Sequence, residues 1–307
     1  MSRPLSRRSV LASAAAAPLA AATAPAARAA APMMGVGMTR FNRVTLGDFE
    51  VTTLLAATAP RPDPHSIFGL NVSAGEFDAV SEAANIPADQ AQFFFTPTVV
   101  NTGDALVLFD TGLNAGGITG ALGAAGYSPD QVDVVVITHM HGDHIGGLMG
   151  DSGATFPNAR YVTASAEFDA WAAMDNATFE ARMRPLADRT EMIGDGAGIA
   201  PGITAMAAHG HTPGHTAFMI ESGGSQLLIA ADFANHYVWS LGHPDWEVKF
   251  DMDKQAAAET RRRLLGMLAA DKLPFVGYHM PWPGIGYVSA AQGDGFRYEP
   301  ASYQLML

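Results

Sequence analysis

The chain has no cysteine. That absence excludes a disulfide framework and thiolate metal ligands, so any bound ion must rest on imidazole, carboxylate or water. Charge is scarce too: 16% of residues are Asp, Glu, Lys or Arg, against 48% hydrophobic. Over 307 residues that proportion is ample for a large buried core. Cations are the scarcer sign, with 18 Lys and Arg against 30 Asp and Glu and a formal net charge of −12. A field of that sign repels polyanions and argues against nucleic acid as a partner. Past the first thirty residues, no uninterrupted apolar run is long enough to span a bilayer.

Those first residues read as an address and not as part of a fold. Ser6-Arg7-Arg8-Ser9-Val10-Leu11 has the twin-arginine pattern, a weakly apolar Ala-rich stretch follows, and Ala27-Arg28-Ala29 has the small-x-small form of a cleavage site. Residues 1–31 are therefore expected to engage the twin-arginine export machinery, with a periplasmic or secreted mature protein. Cleavage after Ala29 removes four arginines and no acid, taking the net charge from −12 to −16.

The rest reads as one catalytic domain, 32–307. Residues 43–52 alternate around Gly47-Asp48 and predict a hairpin. Pro60, Pro62, Pro64 and Pro87 mark residues 56–92 as loop-rich, with one short helix near 76–84. Strands are expected at 93–102, 105–109, 132–137, 160–164, 203–208, 217–221, 226–231 and 273–278. Helices are expected at 118–125, 166–186 and 255–270, the last with Arg261, Arg262 and Arg263 on its solvated side. Two strand-rich halves with interspersed helices suggest sheet packed on sheet with helices outside, in the α/β (α+β) class.

The segment from Thr138 to His144 sets three imidazoles and one carboxylate directly after an apolar run. Neutral imidazole and carboxylate suit zinc and its neighbours, and the spacing lets His139 and His141 reach one ion while Asp143 and His144 turn toward a second. His209-Gly210-His211-Thr212-Pro213-Gly214-His215 is a tight turn that can hold one imidazole at a set distance. Asp232 and His279 each end an apolar run, where a polar side chain has no packing role and is costly without a partner. Asp110 is expected to steady the histidine loop through hydrogen bonds. His209 and His215 are expected near the site without ligating, and His65, His236 and His243 at the surface or rim.

These segments, in this order, resemble the metallo-β-lactamase superfamily, whose H-x-H-x-D-H motif is His139, His141, Asp143 and His144 here. The resemblance implies an αββα sandwich. It implies a first metal on His139, His141 and His211, a second on Asp143, His144 and His279, and Asp232 bridging two divalent ions, zinc by preference. Within the superfamily the chain looks most like the exported methyl parathion hydrolase-like group, through 46–50, 101–103, 138–149, 156–159, 209–216 and 283–286. That implies a dinuclear hydrolase of esters, lactones or phosphotriesters using a hydroxide shared by the ions, with Asp143 and Asp232 orienting it and Trp171 facing the substrate. The Gly-rich Asn114-Ala115-Gly116-Gly117 stands where that group has a bulkier apolar segment, and Asn235 stands where related lactonases carry tyrosine. The expected partner is a small uncharged ester-like substrate, and a homodimer is among the assemblies allowed. A β-lactamase would lack the bridging carboxylate. An iron-dependent persulfide or oxygen oxidoreductase would place Glu where His141 stands and add a flavin domain.

Overall fold

The computed structural model describes residues 31–291 and 295–302, so the export signal read in the sequence lies, but for its last residue, outside the described residues. One compact unit runs from Thr39 onward; residues 31–38 carry no regular secondary structure. Among the described residues no helix is long and apolar enough to cross a membrane.

Two seven-stranded sheets dominate. The first runs in the spatial order Phe41–Leu46, Phe49–Leu54, Thr98–Asn101, Leu106–Phe109, Val134–Val136, Arg160–Ala164 and Thr190–Ile193. The second keeps chain order from Gly198–Ala200 to Phe296–Pro300. The period-2 alternation of a strand explains how they stack. Val107 and Phe109 join Val134, Val136 and Val162 in a core shared with Ile203, Phe218, Ile220, Leu227 and Ile229 of the second sheet. Leu106, Leu108 and Val135 point the other way, onto Ile118 and Leu122 of the helix Ala115–Ala124 and onto Phe168 and Phe179. Both faces of these strands are buried, which is why they read as continuous apolar runs.

The outer face of the second sheet is covered by the helix Lys254–Asp271, which buries Ala257, Thr260, Arg261, Leu264, Leu265 and Leu268. That spacing is a single helical stripe. The result is the four-layer αββα sandwich. A separate hairpin of Ala57–Pro62 and Gln90–Phe95 packs with the helix Ala74–Ala83 on a further core of Phe68, Phe77, Trp239 and Trp246.

Several expectations need correction. The strand expected over 93–102 is two, broken at Thr96-Pro97, and its halves belong to different sheets. Residues 57–62 form a strand despite Pro60 and Pro62, because their hairpin leaves one edge unpaired and a missing N–H costs nothing there. The helical region 166–186 is divided into Ser165–Ala172, Ala177–Arg182 and a 3₁₀ turn. Strands Ile285–Ala290 and Phe296–Pro300 were not foreseen. Arg261 is fully buried and not solvated. His236 is also buried, lying flat on Trp239 with ring centroids 4.0 Å apart.

Candidate metal centre

Every polar residue singled out as a ligand leaves the end of a strand or the turn after it, along one rim of the sandwich. Val134–Val136 delivers the chain to Thr138, whose N–H and hydroxyl both donate to Asp110, at 2.9 and 2.8 Å. Asp110 follows Leu106–Phe109 with φ 61°, the left-handed region that Asp tolerates better than most residues. Ala231 closes Ser225–Ala231 at φ 48°, where alanine is strained, and the turn it makes sets Asp232 into the site. The turn around His211 comes so close to its neighbours that a Cβ on Gly210 would lie 2.2 Å from the Ala257 nitrogen. One on Gly214 would lie 2.1 Å from the Glu167 nitrogen.

Hydrogen bonds fix which ring nitrogen each histidine presents. His144 Nδ1 lies 2.8 Å from Asp110 Oδ2, His211 Nδ1 lies 2.9 Å from Asp251 Oδ1, and His279 Nδ1 lies 2.8 Å from the Phe94 carbonyl. These oxygens only accept, so each Nδ1 carries the proton and each Nε2 faces inward. Thr138 gives its proton to Asp110, so its oxygen accepts from His139 Nδ1 at 3.2 Å and leaves His139 Nε2 free. Now His141 Nδ1 stands 3.1 Å from His139 Nε2 and 3.0 Å from His211 Nε2.

Asp232 lies between two groups. Its Oδ2 is 3.6 Å from His211 Nε2 and 3.2 Å from His279 Nε2, and its Oδ1 is 3.5 Å from His144 Nε2. Asp143 Oδ2 is 3.2 Å from His279 Nε2. Three sets of potential ligand atoms each lie within 4.8 Å: His139, His141 and His211; His139, His144 and Asp232; Asp143, His144 and His279. Divalent metal fits this donor set. His139 Nε2 and His211 Nε2 both turn a lone pair toward His141 Nδ1, which has at most one proton to share between them, and His144 Nε2 and Asp232 Oδ1 are buried with no hydrogen-bond partner; a cation would satisfy all of them.

Without ions, charge inside the cluster is shared unequally. Burial, then the neighbouring His144 and His211, hold His139 well below the ordinary imidazole value; burial and His211 take His141 to about 3. Burial opposes charge on His279 as well, yet Asp232 and Asp143 outweigh it and raise that ring to about 10. The signs predict a stability maximum for chelator-stripped protein. The stabilisation from His279 is complete below pH about 6.5, its unfolded value, and is lost as pH rises through 10. For His141 stability is complete above pH about 6.5 and is lost as pH falls toward 3. Calorimetry across this range should show the melting temperature falling on both sides of pH about 6.5, and a flat profile would refute the assignment.

Two carboxylates that sequence reading did not single out organise the surroundings. Glu167, fully buried, accepts from Met140 N–H at 2.8 Å, Trp171 Nε1 at 2.6 Å, Thr212 Oγ1 at 2.7 Å and Gly214 N–H at 2.8 Å. It ties the first histidine loop to the second. Asp251 holds His211 on one oxygen and Arg261 Nη1, at 2.8 Å, on the other. His215 Nε2 accepts from the Asp232 N–H at 3.0 Å, placing that histidine behind the cluster.

Trp171 requires a correction. Its indole is 5% exposed, bonded to Glu167 and set edge-on to His141 at 5.6 Å. It supports the loop from behind and is not among the residues lining the cavity over the cluster. That cavity, about 310 Å³, is lined by His141, Asp143, Asp232 and His279 at the cluster and by Arg61, Phe93, Phe95, Leu113 and Phe250 around it.

The family model of the metallo-beta-lactamase superfamily matches residues 96–279, more than half of the chain. The chain belongs to this superfamily. Among curated members, an N-acyl homoserine lactonase of Bacillus cereus is 26% identical over 50% of this chain and 58% of its own length. The anti-Pycsar protein Apyc1 of Paenibacillus sp. (strain J14) is 40% identical over 57 residues, 19% of this chain and 22% of its own. The chain thus spans between 22% and 61% of the length of the curated relatives it matches. Two solved structures are similar over nearly their whole lengths. AidC, a dizinc quorum-quenching lactonase, has TM-score 0.79 and 24% identity, covering 86% of this chain and 98% of its own. The hydrolase AbOPH has TM-score 0.80 and 24% identity, covering 88% and 100%. At these identities they establish the superfamily fold.

Proposed function

We propose that the protein is a dinuclear metal-dependent hydrolase of carboxylic esters or lactones. The observation that carries this reading is the position of Asp232, whose Oδ2 lies 3.6 Å from His211 Nε2 and 3.2 Å from His279 Nε2. Divalent ions, zinc by preference, held by His139, His141 and His211 and by Asp143, His144 and His279 with Asp232 between them, would polarise a carbonyl and lower the pKa of water to about 7. Support also comes from the relatives described as N-acyl homoserine lactonases and from the fold shared with the dizinc AidC.

The chain's own groups have definite tasks. Asp143 and Asp232 line the cavity. Without ions, burial opposes their charge, but His144 and His279 bring Asp143 to about 2 and keep Asp232 well below the usual carboxylate range; with ions bound, the positive charge of the metals would keep both ionised in their place. As ionised acceptors both can orient a water by hydrogen bonding, and a proton taken up by either would be held only briefly before passing to a leaving oxygen. Tyr278 Oη donates to the Asp143 carbonyl at 2.6 Å and sets the backbone that aims this carboxylate. Phe93, Phe95, Leu113 and Phe250 shed water and accept an apolar acyl or aryl body. Placement in the methyl parathion hydrolase-like group and twin-arginine export belong to the same proposal, and both rest on sequence segments alone.

A panel of aryl esters, lactones, phosphotriesters, phosphodiesters and β-lactams, run on zinc-loaded and chelator-treated samples, tests the reading. Esters or lactones should lead. The hydrolase reading fails if all of them stay at the chelator-treated background while iron-loaded protein consumes oxygen with a persulfide.

A further inference from the structure

We propose that Arg61 is a carboxylate-binding subsite beside the metal centre, so that the preferred ester or lactone carries a carboxylate of its own; this rests on the hydrolase reading above. The strand Ala57–Pro62 alternates half-buried Ala57, Ala59 and Arg61 with exposed Thr58, Pro60 and Pro62. The pleat therefore sends Arg61 to the inward side, where the residue directly across the hairpin is the small Ala91. With that space free, the guanidinium lies over the Phe93 ring, 5.6 Å from its centroid. It lines the same cavity as Asp143, Asp232 and His279.

Among the described residues the Arg61 guanidinium has no hydrogen bond and no carboxylate within 4.0 Å. By contrast Arg43, Arg182, Arg184, Arg189 and Arg263 each donate to a backbone carbonyl. An unpaired cation in a half-buried aromatic cleft is unusual for a chain with 30 acids and 18 bases. A planar five-donor fork held by a ring is suited to a carboxylate, which it meets with two parallel bonds. Low-dielectric walls concentrate its field within the cleft, against the negative field of the whole molecule. The small uncharged ester-like substrate expected from the sequence gives way to a monoanion.

The test uses the zinc-loaded full chain and two 4-nitrophenyl esters, of glutaric acid with its second carboxyl free and of the matching carboxamide. Wild type should favour the acid by about tenfold in kcat/KM, expressed in KM. Arg61→Met should bring the ratio near one, Arg61→Lys should keep part of it, and Arg61→Glu should invert it. Titration calorimetry with 4-phenylbutyrate and 4-phenylbutyramide reads the same subsite without turnover, and Arg61→Met should weaken the acid about tenfold relative to the amide. An acid-to-amide ratio equal in wild type and Arg61→Met, in both KM and binding, overturns the subsite. No turnover of either ester with the binding difference intact would sink the hydrolase reading and uphold the subsite.

Discussion

Asp232→Ala is expected to yield a folded protein whose metal content falls from about two ions per chain toward one, with ester hydrolysis reduced at least about a thousandfold. Asp232 is 3% exposed, its Oδ2 approaches one histidine from each group, and its Oδ1 has no hydrogen-bond partner. On the dinuclear reading, removing it would leave two dications to repel each other with no shared anion, so the weaker position would empty. The fold should tolerate the change, because the backbone turn at Ala231 and the His215 contact to the Asp232 N–H do not use the carboxylate. Metal analysis and the melting curve of the same sample separate these effects. A variant that keeps two ions and its activity would remove Asp232 from the bridging position.

Arg261→Met should have the largest effect on stability. The guanidinium is fully buried and donates to Asp251, to the Pro244 carbonyl at 2.9 Å and to the Trp246 carbonyl at 3.3 Å. Breaking such a pair strands a buried carboxylate, at a cost of about 3 to 5 kcal/mol. For a domain of this size that corresponds to a melting temperature lower by roughly 10 °C. Because Asp251 also orients His211, affinity at the first metal position should drop by about 10- to 100-fold. Adding Asp251→Asn should restore part of the stability, since the stranded charge is gone, but not the metal affinity. A single variant melting within about 2 °C of wild type would show that water reaches Asp251 and that the pair is not structural.

The ligands were legible because their chemistry is local: three histidines and an aspartate within six positions follow an apolar strand, and Asp232 and His279 end apolar runs. What holds them was less so. Glu167 meets Met140 from 27 positions away and Gly214 from 47, and no pattern near residue 167 announces either partner. The one local clue is Trp171, a helical turn later, and in sequence an indole there reads equally well as a substrate contact. Arg261 is a different kind of miss. The spacing 257, 260, 261, 264, 265, 268 places it on the buried stripe, but its charge and two arginine neighbours outweighed that geometry. The central strands of both sheets are visible as apolar runs, while edge strands such as Phe296–Pro300 are not, and the Ala57–Pro62 strand is hidden by prolines that only an unpaired edge accommodates.

The wall of the cavity and the metal cluster meet at the bond from His279 Nδ1 to the carbonyl of Phe94. A carbonyl is the same whatever side chain its residue carries. The hairpin can therefore exchange Arg61, Phe93 or Phe95 during evolutionary drift and still present an identical acceptor to His279, as long as its backbone pairing survives. His144 and His211 are tied instead to particular side chains, Asp110 and Asp251, and those positions are correspondingly less free to vary. New ligands could be reached by trading wall residues one at a time, with the metal-ligand cluster left intact.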